Sequence, residues 1–173
     1  MKVRNIALCG LSSALMALCA WISVPIFDIA FTMQSFAVFF ALFVLGGKWG
    51  SAAILVYLCL GIAGLPVFSG FQGGLGALLG VTGGFLWGFL LCGLCYWLLS
   101  SLFGKKWNIL WAAISMLLCY GCGCIWFYTV YGDGSALGLG AVIFKCVVPY
   151  LLPDALKIYL SWQLSRKLMR YIL

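Results

Sequence analysis

The sequence predicts an all-α integral membrane protein in which residues 1–173 form one domain, a bundle of six transmembrane helices. Composition is the first reason, because 66% of the residues are hydrophobic and only 8% are charged. Soluble proteins average about 45–50% apolar and about 25% charged residues, and the mean hydropathy here is +1.19. The second reason is spacing, because six apolar segments approach the length of about 20 residues that crosses a bilayer core.

The first three segments end where the sequence disfavours a helix. They cover residues 3–24, 29–45 and 50–64 and stop at a proline, at a Gly-Gly-Lys run and at a Leu-Pro pair. Proline removes a backbone donor and glycine lowers helix propensity, which explains each boundary. At about 1.5 Å of rise per residue, the second and third segments barely cross the core, so we expect them to leave room for a cavity.

The last three segments are longer. They cover residues 82–103, 109–131 and 137–164 and stop at Gly-Lys-Lys, at Gly-Asp-Gly and at a basic tail. Pro149 and Pro153 fall inside the sixth segment, and each removes a backbone N–H from the helical ladder. We therefore expect the sixth helix to be kinked, with free carbonyl groups near the kink.

A glycine-rich, apolar stretch connects the third and fourth segments. Residues 65–84 combine many glycines with large apolar side chains such as Phe68 and Phe71. Flexible linkers are polar, whereas glycines permit hinge motion and a close approach of the backbone to a small molecule. We interpret the stretch as a Gly-rich loop that caps the bundle between helices three and four. A plain flexible linker is the alternative.

Basic residues collect at the segment ends and give the chain its net charge of +7. In a six-span topology, eight of them share one side of the membrane: Lys2, Arg4, Lys48, Lys105, Lys106, Arg166, Lys167 and Arg170. The outer loops carry Asp28 and Asp133. Because positive charge marks the cytoplasmic side of a lipid bilayer, we expect a multi-pass protein of the bacterial cytoplasmic membrane with both termini cytoplasmic. No aromatic residues interleave with basic ones in a soluble stretch, which argues against nucleic-acid binding.

Asp154 and Lys157 are the most informative polar residues. They lie three residues apart in an apolar segment with no other acid, so on a helix they share one face and can pair. Counting from an inner interface at Arg166, they lie about 13–18 Å deep, near the midplane of the core. Charged residues at this depth are costly and usually functional, so we expect a ligand-binding site. The alternative is an ion pair that only holds the bundle together.

Lys145 is a further candidate, because it lies nine residues before Asp154 in the same segment, about 13 Å further out along a helix. Two interpretations of Lys145 are equally open. Its side chain can extend to the outer interface. It can instead receive the anionic tail of a ligand whose polar head rests at Asp154 and Lys157.

The residue inventory argues against an enzyme. The chain has three acids and no histidine, too few groups for paired acid–base chemistry, and it lacks the Gly-x-x-x-x-Gly-Lys-Ser/Thr motif of an ATP-binding loop.

The nine cysteines of the chain lie mostly within the apolar segments, where buried cysteine behaves as a small apolar residue. Binding of a soft metal by the Cys-x-x-Cys pairs that begin at Cys92 and Cys119 is the alternative. We expect no metal and no cofactor.

Small residues form a strip on the first segment. Gly10 and Ala14 stand four residues apart, with Ser13 and Ala17 nearby, and strips of this kind let two helices pack closely. The strip can serve packing inside the bundle, or it can dock a separate membrane subunit.

Four motifs together resemble one protein family over nearly the whole chain. They are Thr32-Met-Gln-Ser-Phe36, Gly61-Ile-Ala-Gly-Leu-Pro-Val-Phe68, Gly73-Gly-Leu-Gly-Ala-Leu-Leu-Gly-Val-Thr-Gly-Gly-Phe85 and Pro149-Tyr-Leu-Leu-Pro-Asp-Ala-Leu-Lys157. On these residues the chain is similar to the biotin-uptake (BioY) family, whose members are substrate-binding S components of energy-coupling-factor (ECF) vitamin transporters.

The resemblance implies a six-helix bundle that binds biotin from outside, with the capping loop over the site. It implies docking on an ECF module that consists of a membrane scaffold subunit and two ATPases. Gly10 and Ala14 would then lie in the strip that meets the scaffold subunit. It also implies substrate-binding roles for Asp154, Lys157 and Gln72. We expect two further substrate contacts, from Thr82 and from Gln34, which can donate to the ureido carbonyl oxygen of biotin.

Two departures from the family pattern concern the ligand. Val81 replaces the proline that usually precedes Thr-Gly-Gly, and Leu86 stands where some relatives place an arginine for the ligand carboxylate. Lys145 is then the cation best placed for that carboxylate. The alternative functions are binding of another vitamin, such as thiamine or riboflavin, and a channel or structural role in the membrane.

Overall fold

The computed structural model describes residues 2–25, 30–131 and 139–172 of the chain. Its helices are α1 (Lys2–Trp21), α2 (Gln34–Ile62), α3 (Leu75–Leu79), α4 (Gly83–Phe103), α5 (Asn108–Tyr131), α6 (Leu139–Cys146) and α7 (Val148–Ile172). Its strands, which follow α1, are β1 (Ser23–Pro25) and β2 (Ala30–Thr32). Asp28 and Asp133, which we expect in outer loops, lie outside the described residues.

Four helices within the described ranges are long and apolar enough to cross a membrane, as judged by length and composition: α1, α2, α4 and α5. Since α2 reverses its direction, as described below, it supplies two crossings. The apolar part of α7 supplies the sixth, and the basic end of this helix follows it. The predicted all-helical membrane fold with six spans is therefore confirmed.

The reversal of α2 occurs at Gly46, where φ is 77° and ψ is 169°. Glycine adopts a positive φ without steric cost. A Cβ atom on Gly50 would lie 2.8 Å from the Cα of Leu42, although these two residues would be about 12 Å apart along a straight helix. The two halves of α2 therefore run antiparallel, and the predicted break between the second and third spans is confirmed.

The chain between α1 and α2 forms an antiparallel β-hairpin, in which Ser23 pairs with Thr32. The predicted helical segments 3–24 and 29–45 are therefore wrong at the ends that face each other. Pro25 supplies no backbone donor, and the residue before a proline favours extended backbone. Helix α1 consequently ends earlier than its apolar run suggests.

We call residues 63–82, between α2 and α4, the capping segment. It contains a 3₁₀ turn at Ser69–Phe71 and the short helix α3, so the predicted capping loop has helical structure of its own. Gly64, Gly70 and Gly74 have positive φ angles and turn the backbone between these pieces. Glycine is suited to all three positions because it has no Cβ atom.

The predicted sixth span, residues 137–164, is two helices in the structure, separated at Val147. Pro149 explains the separation, because it has no backbone N–H with which to continue the hydrogen bonds of α6, and proline is favoured in the first turn of a new helix. Pro153 lies inside α7. The expected kink is present, but it is an interruption between α6 and α7 and not a bend within one helix.

Close packing joins α4 to its neighbours on two sides. A Cβ atom on Gly88 would lie 2.9 Å from Sγ of Cys119 in α5, and one on Gly93 would lie 2.8 Å from Cδ1 of Ile54 in α2. Since neither glycine carries a side chain, the helix axes approach each other closely. Helix α4 therefore lies between α2 and α5.

Exposed basic side chains lie at one end of the bundle. Arg4 is near the start of α1, Lys48 is at the turn of α2, Lys106 lies between α4 and α5, and Arg166 is near the end of α7. Because successive crossings alternate in direction, these positions share one end. The capping segment lies at the opposite end.

Candidate functional site

Asp154 and Lys157 form a buried ion pair in α7. Nζ of Lys157 lies 2.8 Å from Oδ1 of Asp154. Both residues are buried, since Lys157 is 5% exposed and Asp154 is 6% exposed. Their spacing of three residues places them on one helical face, as the sequence predicts. A charge buried this deeply needs further hydrogen bonds, and the neighbouring elements provide them.

Residues of β2 and α2 complete the surroundings of Lys157. Its ammonium group donates to the carbonyl oxygen of Thr32 at 2.7 Å and to Oγ of Ser35 at 3.3 Å. It also lies 3.8 Å from the centroid of the Phe31 ring, in cation–π contact. With the bond to Asp154, all three N–H donors of the ammonium group have acceptors. The β-hairpin after α1 thus helps to position the lysine.

Three side chains hold the carboxylate of Asp154. Oδ1 accepts hydrogen bonds from Lys157 and from Ser35, both at 2.8 Å, and Oδ2 accepts one from the Tyr120 hydroxyl at 2.6 Å. Helices α2, α5 and α7 therefore meet at this carboxylate. Because a carboxylate has about four acceptor positions, one position on Oδ2 remains for a ligand.

The ion pair opens into a cavity of about 70 Å³. Its polar lining consists of Thr32, Gln34, Ser35, Ser69, Thr82, Tyr120, Tyr150, Asp154 and Lys157. Its apolar lining consists of Phe85, Leu86, Phe89, Met116, Cys119 and Cys146. Small-molecule sites combine apolar walls with a few polar groups in this way, but they typically measure about 300–1,000 Å³. The walls must therefore move apart when a ligand of ordinary size binds.

The ion pair lies at the deep end of this cavity, and the capping segment covers the other end. Cys119 in α5 contacts Gly88 in α4, which brings the next residue, Tyr120, and its partner Asp154 to the level of Gly88. Thr82, at the start of α4, precedes Gly88 by a rise of about 9 Å. The cavity therefore extends from the ion pair towards the capping segment along one face of α4.

Gln34 and Thr82, two of the predicted ligand contacts, line this cavity. Gln34 is 3% exposed, and its Nε2 donates to the hydroxyl of Tyr57 at 2.9 Å. That hydroxyl donates in turn to the carbonyl oxygen of Val67 at 3.0 Å. Gln34 thus connects the site to the capping segment, and its part in ligand binding stays a prediction, as does that of Thr82.

Gln72 and Lys145, also predicted as ligand contacts, are exposed and do not line the cavity. Gln72 follows the 3₁₀ turn of the capping segment, where its carbonyl oxygen accepts a hydrogen bond from the backbone of Phe68 at 3.0 Å. Lys145 lies in the last turn of α6. Both assignments stay predictions, and they require movement of the capping segment or of α6.

Gly10 and Ala14 lie on an exposed face of α1. The Cβ position of Gly10 has no neighbour within 4 Å among the described residues. On the buried face of the same helix, Ser13 donates to the carbonyl oxygens of Cys9 and Ala53. Packing inside the described bundle therefore uses Ser13 but not Gly10 or Ala14, and docking of a separate subunit stays the prediction for these two residues.

Phe68 anchors the middle of the capping segment. Its ring is 2% exposed and lies edge-on to that of Tyr57, with the ring centroids 5.5 Å apart. The ring fills the space next to Gly61 in which a Cβ atom would otherwise lie. The absence of a side chain at Gly61 thus creates the recess that receives Phe68.

Two tryptophans hold the ends of the capping segment. Nε1 of Trp21 in α1 donates to the carbonyl oxygen of Pro66 at 2.8 Å, and Nε1 of Trp126 in α5 donates to that of Gly80 at 3.1 Å. Together with Phe68 in its recess on α2, these bonds attach the capping segment to three different helices: α1, α2 and α5.

Sequence reasoning missed three groups at the site. Tyr120 had a signal, since a tyrosine in the middle of an apolar segment needs a partner for its hydroxyl. Ser35 stands beside Gln34, so the sequence indicated its region without singling it out. The Thr32 carbonyl had no side-chain signal, because its role depends on the β-hairpin.

The cysteines form no metal centre among the residues that the structure describes. No group of three or more His, Cys, Asp or Glu residues in those ranges could hold a metal ion, and the nine cysteines are not joined by disulfides. Cys119 and Cys146 are buried and form part of the cavity wall. Their packing fits the interpretation of buried cysteine as a small apolar residue.

A six-helix membrane bundle with a capped cavity and a buried ion pair defines a small-molecule-binding membrane protein. The BioY family matches residues 1–173. The chain is 34% identical over 172 residues to the "Biotin transporter BioY" of Thermotoga maritima, covering 96% of each chain. It is 36% identical over 157 residues to the "Probable biotin transporter BioY" of Pyrococcus horikoshii, covering 91% of each. The chain belongs to the BioY family.

Solved structures support the same fold. The crystal structure of the S-component for biotin from an ECF-type ABC transporter superposes with a TM-score of 0.85 at 21% identity, covering 98% of this chain and 92% of that chain. The structure of the S component of a bacterial ECF transporter superposes with a TM-score of 0.65 at 15% identity, covering 99% of each chain. The chain thus has the S-component fold. It is a multi-pass membrane protein of a transporter family and not an enzyme.

Proposed function

We propose that the chain binds biotin and takes it up across the cytoplasmic membrane as the S component of an ECF-type transporter. The observation that carries this function is the carboxylate of Asp154, which Ser35, Lys157 and Tyr120 hold in place at the deep end of a capped cavity. The names of the curated relatives support biotin as the ligand.

The chemistry of the site suits the head of biotin. The ureido ring of biotin offers two N–H donors, and one of them suits the acceptor position that remains on Oδ2 of Asp154. The ureido carbonyl oxygen accepts a hydrogen bond from Gln34 or from Lys157. At Lys157 it would replace the longest hydrogen bond of the ammonium group, which is the 3.3 Å bond to Ser35. Charge-assisted hydrogen bonds in a dry site are strong. The aromatic walls at Phe85 and Phe89 suit the thioether ring and the alkyl chain.

The capping segment covers the bound ligand in this proposal. Because the cavity measures about 70 Å³, binding of biotin requires an outward movement of the segment or of α6. Gln72 and Lys145 lie on those two elements, so either side chain reaches the ligand only when its element rearranges around the ligand.

Energy for uptake comes from a partner in this proposal. The partner is an ECF module with a membrane scaffold subunit and two ATPases, and the exposed strip at Gly10 and Ala14 docks on the scaffold subunit. Residues 1–173 act as one domain with both termini in the cytoplasm. The basic end of the bundle supports this orientation, because positive charge marks the cytoplasmic side.

Equilibrium binding of labelled biotin to detergent-purified protein tests the proposed function. We expect submicromolar binding by the wild type and loss of at least about 100-fold in Asp154→Asn and in Lys157→Met, since each leaves a buried charge without its partner. Lys48→Met is the matched control, because Lys48 is exposed at the turn of α2. Gel filtration establishes that each variant is folded.

Two results would contradict the proposal. If folded wild type bound no biotin, the assignment of the ligand would fall, and thiamine and riboflavin would be tested next. If Asp154→Asn lowered only thermal stability and left biotin uptake unchanged, the ion pair would be structural.

A further inference from the structure

We infer that the basic end of α7 binds the phosphate group of an anionic glycerophospholipid, such as phosphatidylglycerol. The site is a groove of about 290 Å³ lined by Trp162, Gln163, Arg166, Lys167 and Arg170, which we call the headgroup groove. It shares no residue with the cavity at the ion pair. Lipid binding at the groove is therefore independent of the ligand proposed above.

The headgroup groove lies near the membrane edge of the sixth crossing. Asp154 is at the level of Gly88, as described above, and α4 continues from there to Phe103 with a rise of about 22 Å. From Asp154, α7 reaches Arg166 with a rise of about 18 Å. Since α4 is long and apolar enough to cross the membrane, its end and Arg166 lie close to the level of the lipid headgroups. Tryptophan is enriched at this level, and Trp162 lies one turn before Arg166.

Basic side chains of the groove continue an apolar, exposed face of α7. Leu152 is 82% exposed and Leu156 is 58% exposed, and leucine is as apolar as the lipid tails that surround it. At 3.6 residues per turn, Arg170 projects in about the same direction as Leu152, and Lys167 lies within about 60° of it. A phospholipid whose acyl chain packs along these leucines thus places its phosphate group at Lys167 and Arg170. This continuity identifies a lipid as the occupant of the groove.

The groove carries three positive charges without a carboxylate partner among the described residues. Asp154 is the only acidic residue in the described part of the chain, and it is bonded to Lys157. Arg166, Lys167 and Arg170 are all exposed, and the repulsion between their charges decreases when an anion lies among them. Basic clusters next to a transmembrane helix attract anionic lipids for this reason.

Arg166 is held in position before a lipid binds. Its Cζ atom lies 4.8 Å from the centroid of the Trp162 ring, in cation–π contact. The Trp162 ring packs against Tyr159, with the ring centroids 6.1 Å apart, and the Tyr159 hydroxyl accepts a hydrogen bond of 2.6 Å from Gln163. A planar guanidinium group can donate two parallel hydrogen bonds to a phosphate. Arg166 therefore supplies the directed contact, while the other two cations supply charge.

Native mass spectrometry of the detergent-purified protein tests the groove by titration with phosphatidylglycerol and with zwitterionic phosphatidylcholine. We expect the wild type to bind the first phosphatidylglycerol at least about tenfold more tightly, because each basic residue near the headgroups adds to the attraction of an anionic lipid. A ratio of dissociation constants near one would overturn the inference, whatever the variants show.

The variant Arg166→Gln/Lys167→Gln/Arg170→Gln should lose the preference for phosphatidylglycerol. Gel filtration and binding of labelled biotin establish that it is folded. If the triple variant fails to fold, Arg166→Gln alone should reduce the preference at least about threefold, because it removes the bidentate contact.

The matched control is Arg4→Gln/Lys48→Gln/Lys106→Gln, which removes the same charge from exposed side chains at the same end of the bundle, outside the groove. We expect this control to keep the preference. An equal loss in both triple variants would mean that the lipid responds only to the total charge of the basic end, and a specific groove would be excluded.

Inorganic phosphate separates a lipid from a free anion. At millimolar concentration it should not displace phosphatidylglycerol, because it lacks an acyl chain to pack along Leu152 and Leu156. Displacement would assign the groove to a soluble anion and overturn the inference. Trp162→Leu should weaken phosphatidylglycerol binding about threefold, whereas Trp162→Phe should preserve it, since either aromatic ring can hold the guanidinium group of Arg166.

Discussion

The hydroxyl of Tyr120 donates a hydrogen bond of 2.6 Å to Oδ2 of Asp154, which joins α5 to α7 across the cavity. Bonds to charged acceptors are short and strong. The other oxygen of the same carboxylate is held by Ser35 and Lys157. The carboxylate therefore cannot rotate freely, and its remaining acceptor position keeps a fixed direction relative to the cavity.

Tyr120→Phe should weaken biotin binding by about 10- to 100-fold, because a hydrogen bond to a charged group contributes about 1.5–3 kcal/mol. The substitution removes one oxygen atom and retains the ring that lines the cavity. Tyr128→Phe is the matched control, since Tyr128 lies on the same helix and is 44% exposed. Equilibrium binding measures both, and equal affinity of the two variants would exclude a role for the Tyr120 hydroxyl.

Ser35→Ala should lower both biotin affinity and thermal stability. Ser35 donates to Asp154 and accepts from Lys157, so the substitution loosens both members of the pair at a cost of about 1–3 kcal/mol. Ser115→Ala is the matched control. Ser115 is also buried, but its hydroxyl donates to the Trp111 carbonyl of its own helix.

Thermal unfolding followed by circular dichroism measures the stability of both serine variants, and binding of labelled biotin measures affinity. A similar loss in Ser115→Ala would mean that Ser35 acts through packing alone. A loss confined to Ser35→Ala would attribute the effect to the ion pair.

Gly61→Ala should displace Phe68 from its recess, because the new Cβ atom would overlap the Phe68 ring. The capping segment then loses its central anchor, and we expect labelled biotin to dissociate at least about tenfold faster, as expected for a loosened lid. Gly76→Ala is the matched control in the same segment, since the Cβ position of Gly76 is open. Unchanged dissociation from Gly61→Ala would exclude the recess as the anchor.

Both termini should lie in the cytoplasm. A green fluorescent protein fused after Leu173 should therefore fluoresce in cells, while alkaline phosphatase fused at the same position should be inactive, because positive charge orients the basic end inwards. Fusions after residue 131 are the control and should behave in the opposite way. Phosphatase activity from the fusion at Leu173 would reverse the proposed orientation.

The six spans are predictable from the sequence because a bilayer requires long apolar helices. The break at Gly46 is also predictable, because Gly46 and Gly47 form a glycine pair between two apolar segments. The β-hairpin is not predictable in this way. Strands such as Ser23–Pro25 have only three residues. Over so few residues, the spacing of apolar side chains does not distinguish a strand from the adjoining helix. Pro149 predicts a disturbance of the last span, but not that the chain stops one helix at Cys146 and starts another.

The ion pair of the site is predictable and most of its surroundings are not. Asp154 and Lys157 stand out because charge is rare in apolar segments. Tyr120, by contrast, reaches Asp154 only through the packing of α5 on α7, and Lys157 reaches the Thr32 carbonyl only through the β-hairpin. Such long-range pairings leave no pattern in local sequence.

Helix α2 starts at Gln34 after a β-hairpin and not after another helical turn. The two ends of the bundle therefore differ in backbone structure. Towards the basic end, every described crossing is continuous helix. Towards the capping segment, short strands, a 3₁₀ turn, α3 and the interruption at Val147 take the place of long helices. Backbone of this second kind opens at a lower free energy. The bundle can thus open to a ligand at its capped end, while continuous helices keep the basic end closed.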